Sequence, residues 1–310
     1  MQNRTGIGPL QSAIDEALDL LAGDPRPLPE AAVVEPLPSL LAQCQDLIAA
    51  LPACPVIRTL HHFACTGGTL IAKCVAALPN TVLLSEIDPL STLVIPQDRP
   101  VFAPTDVLLN MRQTTRPLPE EMLADVFVAA IGRLAARLAD RGQHLVLRDH
   151  AHSHYCTHRD PSTRPSLRRI LAPEFDIRAI VTVRDPVESY LSLRANGWHT
   201  HMAPQTPAEY ARRYRLFLDD HRDLPVLKYE EFTQDPEPAL RRIADALDLG
   251  WSDDALHLFP MMRLTGDSGR KGDSIAPRPR KPVAPALLDQ LRDCPDFLSL
   301  RAGMGYEDTL

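Results

Sequence analysis

The sequence predicts an α/β fold: a three-layer sandwich with a central parallel sheet and a helical extension at its N-terminus. From residue 56 onward, short apolar runs of strand length alternate with segments of helical period. Those runs are apolar without alternation, as in strands covered by helices on both faces. Several of them end beside residues able to do chemistry, the place where open parallel sheets hold ligands.

The elements follow in order. Residues 12–22, SAIDEALDLLA, begin Ser-x-x-Asp and place Ile14, Ala17, Leu18 and Leu21 on one helical face. A proline-rich connector leads to a second helical pattern over residues 39–51, so residues 1–54 are expected to form a helical extension and residues 55–310 the α/β domain. In the second part IRTLHHFA reads as a strand, GGTLIAKCVAAL as a helix and TVLLS as a strand. A long amphipathic helix is expected over residues 120–142 and a strand over HLVLRD. IRAIVTV is a strand, PVESYLSLRANG a helix, PVLKYE a strand and PEPALRRIADALDL a helix. The stretch GDSGRKGDSIAPRPRKP is basic and poor in apolar residues, and so reads as a surface loop.

Composition narrows the function classes. A length of 310 residues with 45% hydrophobic and 24% charged residues is that of a globular chain and excludes wholesale disorder. A net charge of −7 argues against a general nucleic-acid binder. No apolar run reaches the ~18 residues that span a bilayer, and the first residues lack the pattern of a secretory signal. The six cysteines include no Cys-x-x-Cys pair and read as reduced thiols. The expected location is the cytoplasm.

Four strand ends carry the functional reading. After the first strand comes Cys65-Thr66-Gly67-Gly68-Thr69-Leu70, then a helix. Two glycines allow close backbone approach to an anion, and the helix start adds N–H groups and partial positive charge. A turn that needs glycine only for packing has the same pattern. An ATPase loop is excluded by its spacing and by the lack of a lysine before Thr69. Lys73 lies one turn further along. After IRAIVTV comes Arg184-Asp185-Pro186, with Ser192 eight residues after the arginine. A strand-end arginine can grip a phosphate through two parallel hydrogen bonds.

This segment resembles the 3′-phosphate-binding element of sulfotransferases that use 3′-phosphoadenosine-5′-phosphosulfate (PAPS). Residues 65–70 resemble that family's 5′-phosphosulfate loop, Tyr229-Glu230-Glu231-Phe232 with Asp235-Pro236 its Tyr-Glu segment, and Gly269-Arg270-Lys271-Gly272-Asp273 its late Arg-Lys-Gly loop. All four occur in family order, over about residues 56–275, in the manner of a divergent bacterial-type member. The resemblance implies a P-loop NTPase-like domain that transfers a sulfuryl group from PAPS to a hydroxyl or amine of a small metabolite or glycan, with no metal. It implies that Cys65, Thr66, Gly67, Gly68, Thr69 and Leu70 surround the 5′-phosphosulfate. Arg184, Ser192, Arg270, Lys271 and Gly272 then take the 3′-phosphate, with Tyr229 near the adenine.

The chain departs from the family in one respect. The basic residue usual at about Cys65 or Thr66 is missing, and Lys73, Arg148 and His62 are the candidates to replace it. Two bases compete for the acceptor proton: His150, after HLVLRD, and Glu86, after TVLLS. Two other readings use the same residues: a catalytically impaired nucleotide-binding protein with a regulatory role, and a P-loop kinase for a sugar or small molecule. The run His150-Ala151-His152-Ser153-His154-Tyr155-Cys156-Thr157-His158 places His or Cys at every second position. In an extended segment these face one side, splayed too far apart for one ion, so no metal is expected and lining of the acceptor pocket is. Acceptor loops are expected at 88–118, 150–166 and 197–208.

Overall fold

Five parallel strands, β1 (Val56–His62), β2 (Thr81–Ile87), β3 (His144–Asp149), β4 (Asp176–Val183) and β5 (Val226–Lys228), form one sheet in the order β2-β3-β1-β4-β5. The computed structural model that shows this describes Glu16, Asp19, Ser39, Ala42 and Gln43, then residues 55–93, 100–266, 274–279 and 282–306. The chain divides into two units, Met1–Leu51 and Pro52–Leu310. In the first, Glu16, Asp19, Ala42 and Gln43 are helical; the rest of the two helices expected there lies outside the described residues.

The strands carry the runs that sequence periodicity marks. β1 is the central strand, buried at every residue after Val56, and it pairs with β3 on one side and β4 on the other. Parallel strands need crossovers, and helices supply them. The first crossover is α1 (Gly68–Ala76), which buries Ile71, Ala72, Cys74 and Val75. α2 (Val107–Arg112) and α3 (Glu120–Ala139) lie between β2 and β3; α3 turns Leu123, Phe127, Ile131 and Leu138 inward at helical spacing. Short helices α4 (Ala151–Tyr155) and α5 (Leu167–Leu171) lead to β4.

The Asp185-Pro186 pair has a local role. Asp185 caps α6 (Pro186–Ala195), its carboxylate accepting from Val187 N at 2.9 Å, and Pro186 takes the first turn, where no N–H is needed. This fixes how the chain leaves β4 and therefore where Arg184 stands. α7 (Pro207–Asp220) buries Tyr210, Tyr214 and Phe217, and the Tyr214 ring stacks on Phe63, just past β1, with centroids 4.5 Å apart. β5 ends at Lys228, so Tyr229 begins α8 (Tyr229–Gln234) instead of ending a strand. α9 (Pro236–Ala246), α10 (Ala255–Leu258), α11 (Pro285–Arg292) and α12 (Pro295–Gly303) complete the layers. Among the described residues no helix is long and apolar enough to cross a membrane.

Candidate active site

The turn after β1 is built around positions that exclude a side chain. Cys65 has φ 64° and Gly67 φ 89°, both left-handed. A Cβ on Gly67 would lie 2.3 Å from the Tyr229 ring, and one on Gly68 would lie 2.2 Å from the His62 ring. Packing alone therefore demands both glycines. What marks the turn as more than a packing device is the charge around it. Arg184 donates to Cys65 O at 3.4 Å and places its guanidinium 4.9 Å from the centre of the Tyr229 ring. On the α1 side, Arg148 donates to Thr69 Oγ1 at 3.1 Å. The opening turn of α1 adds N–H groups that have no acceptor within the helix. Two guanidinium groups and a helix start thus meet one turn, a combination suited to a polyanion.

The other residues of the turn differ in orientation. The Thr66 hydroxyl points inward and donates to Phe63 O at 2.7 Å. Cys65 Sγ accepts from Asn196 Nδ2 at 3.6 Å. Leu70 packs into the apolar cluster around α1 and α9. Lys73 is in the last turn of α1. Of the candidates to replace the missing cation, Arg148 touches Thr69, and His62 lies against Gly68 and accepts from Arg148 Nε at 3.0 Å.

Arg184 is half-buried and pairs with Glu188, one helical turn on, at 3.5 Å. Ser192 lies two turns into the same helix and is 2% exposed. Arg270, Lys271 and Gly272, with the rest of 269–273, lie outside the described residues. The segment just before them is anchored: Thr265 Oγ1 donates to Ser85 O at 2.8 Å, and Ser85 Oγ donates to Thr265 O at 3.0 Å. Gly266 leaves no room for a Cβ against Glu86.

Glu86 and His150 come together at the ends of β2 and β3. The β2–β3 register shifts between Leu84 and Ile87, and Glu86 adopts φ 60°, an uncommon conformation for a residue with a side chain. Its carboxylate pairs with Arg148 Nη2 at 2.7 Å and approaches His150 Nε2 at 3.4 Å and His152 Nδ1 at 4.0 Å. Burial raises the Glu86 carboxyl to about 7, against the pull of Arg148. Burial also holds His150 down at about 4. Arg148 itself bridges Glu86, Ser85 Oγ (2.9 Å), His62 and Thr69, and so links this cluster to the glycine turn.

The histidine run is not extended. His150 is the residue before α4, and His152 and His154 lie within that helix. His150 Nε2 and His152 Nε2 are 2.7 Å apart, and the His152 ring stacks on Trp198. Arg164 grips Asp88 with two bonds, of 2.8 and 2.7 Å, and Asp88 also accepts from Ser153 Oγ. This buried brace ties α4 to the end of β2. Sequence reasoning did not single out Asp88, Glu188 or Trp198 for the site; only Glu188 carried a readable signal, four residues after Arg184 on one helix face.

A family model described as the Sulfotransferase family matches residues 63–253, more than half of the chain. No curated protein matches it. Among solved structures, the sulfotransferase domain of the Synechococcus PCC 7002 olefin synthase is similar at 19% identity and a TM-score of 0.48, covering 81% of this chain and 94% of that one. A sulfotransferase from Alicyclobacillus acidocaldarius is similar at 15% identity and 0.40, covering 83% and 98%. Mouse sulfotransferase SULT7A1, solved in complex with PAP, is similar at 11% identity and 0.41, covering 81% and 89%.

Proposed function

This chain belongs to the sulfotransferase family, and from that premise we propose that it transfers a sulfuryl group from PAPS to a hydroxyl or amine of a small metabolite or glycan in the cytoplasm. The observation that carries the proposal is the pair of guanidinium groups on one glycine turn, Arg148 at Thr69 and Arg184 at Cys65 and Tyr229. The 5′-phosphosulfate lies along Thr66–Leu70, against the start of α1. The 3′-phosphate lies toward Arg184 and Ser192, with Arg270, Lys271 and Gly272 closing over it and Tyr229 beside the adenine.

In the proposed reaction the acceptor oxygen attacks sulfur in line with the bond to the leaving phosphate oxygen. A new S–O bond forms as the old one breaks, and 3′,5′-ADP leaves with the bonding pair. Such a transfer depends on position and on donors for the developing charge. Arg148 supplies the positive charge that the turn itself lacks, with Thr69 Oγ1 at its side. Glu86 takes the acceptor proton: with its carboxyl raised to about 7 it is matched to neutral pH. His150, neutral at that pH because burial holds it near 4, orients the carboxylate. No residue of the turn matches the lysine of an ATPase loop, which favours PAPS over ATP.

The test is transfer of radiolabelled sulfate from PAPS to a panel of phenols, amines, sugars and glycans. Label in at least one acceptor supports the reading. Tight 3′,5′-ADP binding without transfer to any acceptor replaces it by a non-catalytic nucleotide-binding role. Magnesium-dependent ATP affinity above that for 3′,5′-ADP replaces it by a kinase.

A further inference from the structure

We propose that Glu86, His150 and His152 form a binding site for one divalent transition-metal ion of the zinc class. One donor atom from each of the three lies within 4.8 Å of the others. The donors come from two separate elements, the end of β2 and the start of α4, so the ligand set is not confined to one splayed strand. The closed turn of α4, in place of the extended segment expected from the sequence, is what brings alternate histidines together.

The geometry is close to that of a bound ion. Donors on a tetrahedral zinc, at ~2.0–2.1 Å each, stand roughly 3.3 Å from one another. Glu86 Oε2 lies 3.4 Å from His150 Nε2 and 4.0 Å from His152 Nδ1, while His152 Nε2 is 2.7 Å from His150 Nε2, so the His152 ring turns to offer a single nitrogen to the ion. Glu86 Oε2 is buried with no hydrogen-bond partner, whereas the other carboxylate oxygen, Oε1, pairs with Arg148. That division is what a ligating carboxylate with an outer-shell partner shows: one oxygen is oriented by a neighbour and the other is left for the metal. Two imidazoles and a carboxylate select zinc, cobalt, nickel or copper over magnesium and calcium, which prefer oxygen donors alone. The Asp88–Arg164–Ser153 brace holds α4 at the carboxylate before any ion arrives.

The site stands whether or not the chain transfers sulfuryl groups; only one consequence rests on that reading. A carboxylate oxygen that binds zinc cannot also take the acceptor proton, so occupancy and turnover exclude each other at Glu86.

Calorimetric titration of the full chain with zinc chloride, and with magnesium chloride for comparison, tests the site directly. Cobalt(II) followed by its visible ligand-field band reports the geometry. One equivalent of zinc, no response to magnesium and a four-coordinate cobalt spectrum are expected. His152→Ala should lower zinc affinity by more than the roughly 10–100-fold that loss of an outer-shell partner costs. His158→Ala, at an exposed position, should leave it unchanged. No saturable zinc binding by the unaltered chain overturns the proposal. So does equal affinity in His152→Ala and Glu86→Gln. Loss in His61→Ala with retention in His152→Ala also overturns it, since the ion then belongs to the buried group of His61, Asp149 and His221.

Discussion

The regions around Gly67 and Glu86 sit at the ends of different strands and are held by different physics. The turn at Gly67 is shaped by exclusion: the rings of Tyr229 and His62 occupy the space that Cβ atoms would need, and the backbone turns left-handed at Gly67. The cluster at Glu86 is shaped by charge: a buried carboxylate with positive φ is pinned by Arg148 from β3 and flanked by His150, just before α4, and His152 within it. Arg148 belongs to both, since it reaches Thr69 as well as Glu86. If Arg148 serves the turn as proposed, a cradle made of backbone tolerates a missing cation because a neighbouring strand supplies one. The proposed proton-transfer site, made of side chains, has no such spare part.

That contrast orders the expected effects. The largest is at the charged cluster. Glu86→Gln keeps the shape of the side chain but removes its basicity, and should cut turnover by ~10²–10⁴-fold, the usual share of a general base. Its effect on 3′,5′-ADP affinity should be small. The same assignment gives a pH profile. Glu86 acts when deprotonated, so turnover should climb as pH rises through about 7. A flat profile from pH 5 to 8 in initial-rate assays would remove Glu86 from that role.

Arg148→Ala comes next, with a loss of ~10²–10³-fold in turnover, the scale for removing one donor to a developing oxyanion. Because Arg148 is buried and joins four partners, its melting temperature must be recorded beside the rate. Arg148→Lys should restore part of the activity if charge is what matters. If lysine restores folding but no activity, the planar fork is the essential feature.

Arg184→Ala removes the guanidinium on the far side of the turn. The expected loss in 3′,5′-ADP affinity is about 2–3 kcal/mol, on the order of a hundredfold in Kd. It should be much smaller for 5′-AMP, which lacks the 3′-phosphate.

The smallest effect is structural. Gly67→Ala puts a Cβ where the Tyr229 ring now lies and asks alanine to hold φ 89°. A stability loss of about 1–3 kcal/mol is expected, read as a lowered denaturation midpoint. A variant as stable as the unaltered chain would show that the turn can relax, and would weaken the packing account of this glycine.

The same contrast explains what could be read from the sequence. The glycine turn, the strand-end arginine and the places of β1 to β5 along the chain were legible because each depends on residues close together in the sequence. The helix at Pro207–Asp220 escaped notice even though Tyr210, Tyr214 and Phe217 recur at helical spacing; arginines and acidic residues between them mask the apolar face. The Glu86 site was only half legible. Both candidate bases were named, but the register shift that turns Glu86 toward Arg148 depends on β2 pairing with β3, some sixty residues away. The histidine run misled for a local reason: alternate histidines suggest an extended segment, and a short turn of helix follows β3 instead.

The central claim is that one nucleotide bridges Gly67 and Arg184. Calorimetry with 3′,5′-ADP and 5′-AMP, on the unaltered chain and on Arg184→Ala, tests it most directly. 3′,5′-ADP is expected to bind far more tightly than 5′-AMP to the unaltered chain, and this advantage should collapse in Arg184→Ala. Equal affinity for the two nucleotides in the unaltered chain, or an advantage that survives the substitution intact, would contradict it.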